Sequence, residues 1–321
     1  MIYLRKSYKV LRETLNMDRS LYEEILKPLL VEDPTPAINW MKQQKLLRAE
    51  LKCPHCSILM KWTKRSSIQD KYVWKCQVKE CSKYKHYESI RKDSFFYRSK
   101  LSLQKWIEGI FYWCQELSVL QTVQLLNVSK VTVIDMFSFF REICLKHFER
   151  NPIKLGGPGT TVQIDESCFS HKPKHHRGRS PQNPLWVFGI VDPTSSPSLG
   201  YMEIVDSRNA ETLLPIIRKV VMPGTIIHSD QWKAYRNIER DLGYTHHTVN
   251  HSVNFVDRTT GVHTQAVESY WNKHKIRIKR MIGCKREFLN SYLHEFMWSE
   301  RNKNDKFHRF CETIARQYYF N

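Results

Sequence analysis

The sequence predicts a multi-domain protein of mixed class, α+β at the front and α/β behind, and three observations carry that reading. Two pairs of closely spaced cysteines lie between residues 53 and 81, helical periodicity runs from 101 to 148, and a strand-rich segment follows a break of three glycines and two prolines at 151–159. With 321 residues, 41% of them hydrophobic, the chain is long enough to bury more than one core. The shifts in composition place boundaries at 1–50 (N-terminal helices), 51–95 (a cysteine ribbon), 96–150 (a helical module) and 151–321 (a mixed-sheet domain).

The first 50 residues hold helix-like runs such as YKVLRETLNM and SLYEEILKPLL, stopped by the breaker at Asp33 to Pro36. Next comes Cys53-x2-Cys56, answered by Cys76-x4-Cys81. Between the pairs, Trp62 and the run Tyr72, Val73, Trp74 suit short strands flanking a polar turn. Two such knuckles on a hairpin offer four thiolates in a tetrahedron, so we expect a zinc ribbon with one structural Zn2+. His55 and His86 are alternative ligands that the four-cysteine set does not need. Cys114, Cys144, Cys168, Cys284 and Cys311 are scattered and read as packing residues.

The run LSLQKWIEGIFYWCQEL and the stretch SVLQTVQLLNVSKVTVIDMFSFFREI read as helices. The second breaks at Leu126-Asn127-Val128 and restarts after a Ser129 cap, with Val131, Ile134 and Phe137 as its expected apolar face. That is a helix-turn-helix pattern, whose second helix would offer Lys130, Thr132 and Asp135 to the major groove. A plain helical hairpin has the same pattern. The charge favours the DNA-binding reading, because 51 Lys and Arg against 32 Asp and Glu leave a net charge of +19, which attracts a polyanion more readily than a neutral metabolite. No window reaches the roughly 18 uninterrupted apolar residues of a membrane span, and MIYLRKSYKVLRETL lacks the apolar stretch of a signal peptide. We therefore expect an intracellular protein with no membrane partner.

After the break, residues 160–169, 185–192 and 199–206 read as strands, NAETLLPIIRKVV as a helix and 225–230 as a fourth strand. AYRNIERDL then reads as a helix, HHTVNHSV as a fifth strand and HTQAVESYWNKHKIRIKRM as a long final helix. This is the element order of a ribonuclease H-like domain. It places Asp165 mid-strand, Asp230 at the carboxyl end of the fourth strand and Glu268 one or two turns into the last helix, so the three can converge at one sheet edge. Carboxylates in such a cluster repel one another and demand cations. Two Mg2+ ions, or Mn2+, satisfy them and suit in-line phosphoryl transfer on a phosphodiester. Glu166 is a weaker alternative ligand, because strand alternation turns it to the opposite face.

The runs IDES (164–167), WVFGIVD (186–192), DSRNAETLLPII (206–217), HSDQWKAY (228–235), HTVNHSVNFVD (247–257) and GVHTQAVESYW (261–271) resemble the Merlin superfamily of DDE transposases and its bacterial insertion-sequence relatives. The resemblance spans roughly residues 50–300, including the ribbon cysteines and the helix-turn-helix. It implies that Asp165, Asp230 and Glu268 form the catalytic triad and ligate the two metal ions. It also implies recognition of terminal inverted repeats, donor cleavage and attack of the freed 3′-hydroxyl on target DNA. The expected partners are double-stranded DNA, as element ends and target, and further copies of the chain in a dimer or larger assembly. The expected location is the nucleus of a eukaryote, or the cytoplasm and nucleoid of a bacterium. Two basic runs, Lys172, Lys174, Arg177 and Arg179 after the first strand and Lys273, Lys275, Arg277, Lys279 and Arg280 on the last helix, are candidate phosphate contacts. A domesticated DNA-binding descendant with little or no cleavage is the alternative, against which the intact triad stands.

Overall fold

The structure, a computed structural model, describes residues 18–169, 184–249 and 261–318. Two compact units emerge: one takes in the described residues up to Ile143 together with those from Asn304 onward, the other is Cys144–Lys303. The sequence reading carried the mixed-sheet domain to residue 321, whereas the chain from Asn304 clusters with the first unit.

The first unit starts with helical turns over 19–29 and a helix α1 (Thr35–Gln43). Asp33 turns the chain into α1 by accepting from the Thr35 backbone N–H (3.1 Å) and hydroxyl (2.8 Å). Strands β1 (Lys61–Lys64), β2 (Tyr72–Lys75) and β3 (Tyr87–Ser89) form an antiparallel sheet in that order. Trp62 sits opposite Trp74 in the register and stacks on Tyr72 with ring centroids 4.9 Å apart. Such cross-strand aromatic pairs supply much of the cohesion of so small a sheet.

Three helices follow, α2 (Leu103–Cys114), α3 (Val119–Leu126) and α4 (Lys130–Arg150). Each start has a serine: Ser102 and Ser118 cap α2 and α3, the latter in a capping box with Gln121, and Ser129 Oγ accepts from the Thr132 N–H at 3.1 Å. Asn127 takes the left-handed conformation (φ 50°) that ends α3, and the chain bends by 116° into α4. The helices meet at Gly109, where an added Cβ would lie 2.3 Å from Met136 Sδ and 3.5 Å from Leu126 Cδ1. The helix Lys306–Gln317 packs on α2, with the Phe310 ring centroid 4.5 Å from that of Trp113.

The expected apolar face of α4 needs correction. Val133, Met136, Phe137 and Phe140 are buried, whereas Val131 and Ile134 are 66% and 42% exposed. Two apolar stripes overlap in this helix, and the one with the larger area, carrying Met136 and Phe140, turns to the core.

The second unit contains β4 (Thr161–Cys168), β5 (Trp186–Asp192), β6 (Leu199–Val205), α5 (Ala210–Val220), β7 (Ile226–Asp230), α6 (Ile238–Leu242), β8 (Thr245–Val249), α7 (Gln265–Arg280) and α8 (Arg286–Arg301). Its sheet has the order β6-β5-β4-β7-β8, antiparallel from β6 to β4 and parallel from β4 to β8. The strand and helix order read from the sequence is present up to α7. The helix expected over AYRNIERDL is a 3-10 turn, Lys233–Tyr235, and the short α6, separated at Asn237 (φ −106°, ψ 12°). The fifth strand is described only to Val249, since residues 250–253 of its expected span lie outside the described residues.

Nor is α7 the final helix. α8 follows and seals β6 with Leu289, Leu293, Phe296 and Met297, a buried stripe at helical spacing. Among the described residues no single helix is long and apolar enough to cross a membrane.

Candidate active site

Asp165 stands in β4 opposite Gly189 of β5, and the parallel register of β4 with β7 runs Thr161 to Ile226, Val162 to Ile227 and Gln163 to His228. Continued along both strands, it brings Asp165 level with Asp230, the last residue of β7. Gln163, Asp165 and Ser167 share one sheet face by alternation, and α7 crosses that face.

Three side chains of β4 anchor α7 through four hydrogen bonds. The buried Gln163 Oε1 accepts from the backbone N–H groups of Ala266 (2.9 Å) and Val267 (3.1 Å), and so caps the first turn of α7, where Thr264 makes no side-chain cap. Trp271 Nε1 donates to Asp165 Oδ2 at 3.0 Å, and Lys275 Nζ donates to Ser167 Oγ at 2.6 Å. Glu268 lies between the first two of these anchors, exposed in the first turn of the helix.

The indole reaches Asp165 because Gly189 has no side chain. A Cβ there would sit 2.4 Å from the Trp271 ring, and Gly200 of β6 makes the same room for Tyr270, at 2.3 Å. Tyr270 in turn donates to the buried Glu300 of α8 at 2.8 Å, and Lys273 pairs with the same carboxylate at 2.6 Å.

The carboxylates feel one another. Burial, then the charge of Asp230 and more weakly that of Glu268, push Asp165 up to about 6, against the pull of the Trp271 N–H and the Glu166 backbone N–H. Glu166 faces away from α7, toward Tyr235, whose hydroxyl donates to it. Burial and the charges of Asp165 and Asp230 push Glu166 up to about 7, while Tyr235 and Arg208 pull the other way. A divalent ion would relieve the repulsion on Asp165 and Glu166, although among the described residues Asp165, Asp230 and Glu268 do not close into a compact three-ligand group. Asp230 is fixed at the strand end, its Oδ1 accepting from the Trp232 backbone N–H at 2.9 Å.

The four cysteines of the ribbon converge. Cys53 and Cys81 have sulfurs 3.9 Å apart, Cys56 and Cys76 3.8 Å, and all four lie within 4.8 Å of one another. Among the described residues no other group of three or more His, Cys, Asp or Glu side chains is so compact. Zinc–sulfur bonds of about 2.3 Å in a tetrahedron require sulfur separations of about 3.8 Å, which those two pairs match, so the four cysteines could hold a zinc ion. The thiols also constrain one another: the Val78 backbone N–H pulls Cys76 down, but burial and the Cys53, Cys56 and Cys81 thiols push it up to about 12. His55 and His86 pack edge to face, with ring centroids 5.3 Å apart.

Of the candidate DNA contacts, Lys130 is exposed at the start of α4, and the Thr132 hydroxyl is 2.9 Å from Ser129 Oγ. Lys172, Lys174, Arg177 and Arg179 lie outside the described residues. On α7, Lys279 and Arg280 are exposed, but Lys273 pairs with Glu300, Lys275 bonds Ser167, and Arg277 lies 3.8 Å from Glu295 and over the Phe296 ring. The run thus divides into Lys279 and Arg280, exposed at the end of the helix, and three cations that tie α7 to its surroundings, of which Lys273 is itself exposed. Sequence reasoning also passed over Gln163, Gly189 and Trp271. The signal for Trp271 was present, one helical turn after Glu268 in VESYW.

Residues 154–301 match the model of the ISXO2-like transposase domain. An uncharacterised transposase-like protein of Haemophilus influenzae is 28% identical over 106 residues, which are 33% of this chain and 84% of that protein. Among solved structures, a chain of the simian T-cell lymphotropic virus intasome in complex with the PP2A regulatory subunit B56 gamma aligns with 13% identity over 60% of this chain and 67% of its own, at a TM-score of 0.29. A chain of a pre-cleavage Mos1 transpososome aligns with 11% identity over 66% and 75%, at 0.26. Both structural likenesses are too slight to bear on the architecture. Asp165, Asp230 and Glu268 all lie within the segment that matches the transposase-domain model.

Proposed function

We propose that the protein is a DDE-type DNA transposase of the Merlin kind, which binds the inverted repeats of its element, cleaves the donor strand and joins the 3′-hydroxyl end to target DNA. The observation that carries this reading is the placing of Asp165 and Asp230 on adjacent parallel strands, with the helix that bears Glu268 bonded to Asp165 through Trp271, inside the segment that matches a transposase domain. Asp165, Asp230 and Glu268 are the residues that would hold two Mg2+ or Mn2+ ions, which when bound supply the charge that activates the attacking oxygen and stabilises the leaving one.

The chain's own part is positioning. Gln163 fixes where α7 starts, Trp271 fixes the rotation of the Asp165 carboxylate, and the Trp232 N–H fixes Asp230. In this reading Lys130 and Thr132, at the start of a helix that follows a 116° bend, read bases, and the exposed Lys279 and Arg280 contact phosphates. The four-cysteine cluster would hold one zinc ion with a structural role. Pairing two element ends requires two active sites, so the working form is a dimer or larger assembly on DNA.

The test is incubation of the full chain with a plasmid bearing its gene and flanking DNA. Magnesium should release a linear fragment with defined ends, calcium should support binding with little release, and an RNA–DNA hybrid should stay intact. Release without a divalent ion, or preference for the hybrid, overturns the reading.

A further inference from the structure

Arg208 follows β6 and lies between two indoles. Its guanidinium carbon is 3.8 Å from the ring centroid of Trp186, at the start of β5, and 4.8 Å from that of Trp232, just after β7. Trp232 is the same residue whose backbone N–H bonds Asp230, and its indole N–H donates to the Arg208 carbonyl at 2.9 Å. The sandwich is therefore tied to a proposed metal ligand through one residue. Trp186 pairs with Cys168 and Glu166 pairs with Phe188, so Trp186 and Glu166 share the sheet face turned away from α7, at the carboxyl end of β4.

Stacking between aromatic faces fixes the plane of a guanidinium but uses none of its five N–H donors. Among the described residues, no carboxylate, carbonyl or hydroxyl accepts from the Arg208 side chain, and all three members of the sandwich remain partly exposed. A cation held between two rings, partly exposed and with its donors unspent among the described residues, and tied through Trp232 to Asp230, is built for an anionic oxygen that arrives from outside. A planar fork matches a phosphodiester bidentately.

We propose that Arg208, clamped by Trp186 and Trp232, is a phosphate-binding site that holds the DNA backbone beside the scissile position. This rests on the transposase reading above and adds to it a substrate contact on the face of the sheet opposite α7. A strand crossing the carboxyl edge of β4 and β7 would meet the carboxylates on one side and Arg208 on the other.

The experiment measures binding of fluorescein-labelled 30-bp duplexes, taken from the DNA flanking the gene, to the full chain in calcium over a range of NaCl, and cleavage of the same duplexes in magnesium. Arg208→Gln should weaken binding about 10-fold and reduce the slope of log K against log[salt] by about 0.9, the loss of one phosphate contact. Arg208→Lys keeps the charge and should keep the slope, yet cleave about 10-fold more slowly, because a point charge neither stacks nor forks. Each variant is measured below its own melting temperature. A wild-type slope in Arg208→Gln, whatever its melting temperature, overturns the phosphate site and assigns the sandwich to holding the β6–α5 connection. Wild-type protein that cleaves no duplex at all defeats the transposase reading instead, so the two failures are distinguishable.

Discussion

The indole N–H of Trp271 donates to Oδ2 of Asp165 across 3.0 Å, joining residues 106 positions apart and setting the helix of Glu268 against the strand of the first carboxylate. Trp271→Phe keeps a ring over Gly189 and removes the donor. The chain should fold with a melting temperature within a few degrees of wild type, while cleavage falls on the order of 100-fold, because a small misplacement of a catalytic group is costly. Cleavage at the wild-type rate would show that the Asp165 rotamer is held by something else.

Gly189→Ala tests the same contact from the sheet side. Its Cβ would lie 2.4 Å from the Trp271 ring, so either the indole leaves Asp165 or α7 lifts. A stability loss of about 1–3 kcal/mol, typical of overpacking, should accompany the loss of cleavage in denaturant unfolding and activity assays. An unchanged protein would mean that the ring can slide aside without consequence.

The three carboxylates proposed as ligands can be picked out in the sequence because each falls in a short run whose chemistry is visible locally, IDES, HSD and VES. The ribbon cysteines were legible for the same reason, since each pair is adjacent in sequence. Gln163 was not: its importance lies in the backbone of Ala266, 103 residues away, and nothing in the strand pattern marks it as a helix cap. The rotation of α4 was misread because Val131, Ile134 and Phe137 form as good a stripe as Val133, Met136 and Phe140, and only tertiary packing at Gly109 decides between them. α8 escaped notice behind the dense charge of the α7 run, and three cations of that run are engaged by Glu300, Ser167 and Glu295, which the sequence does not place beside them.

Metal analysis should find one zinc per chain. Cys76→Ser should lose it and unfold the ribbon at lower temperature, as should prolonged treatment with a strong chelator, because so small a sheet has few other sources of stability. Zinc content unchanged in Cys76→Ser removes that residue from the ligand set.

Asp165 and Glu166 titrate near 6 and 7, above their ordinary values of 3.8 and 4.5. Between the unfolded and folded values the folded state binds protons that the unfolded state has released, so their ionisation costs stability as pH rises through 4 to 7. In zinc-loaded, magnesium-free protein, Asp165→Asn should therefore be more stable than wild type at pH 7.5, by on the order of 2–3 kcal/mol, with the gap closing toward pH 4. Magnesium should raise the melting temperature of wild type at pH 7.5 and not that of the variant. A gap that widens as pH falls has the wrong sign for this account.

The most direct measurement is a paired binding and strand-transfer assay on Asp165→Asn, Asp230→Asn and Glu268→Gln, with labelled element ends and a target plasmid in magnesium. Each substitution removes one negative charge at nearly constant size, so each variant should bind the ends within about 3-fold of wild type and show cleavage and joining reduced by at least 100-fold. Full activity in Glu268→Gln would send the third ligand to Glu166 or elsewhere on α7, and full activity in all three variants would contradict the carboxylate mechanism itself.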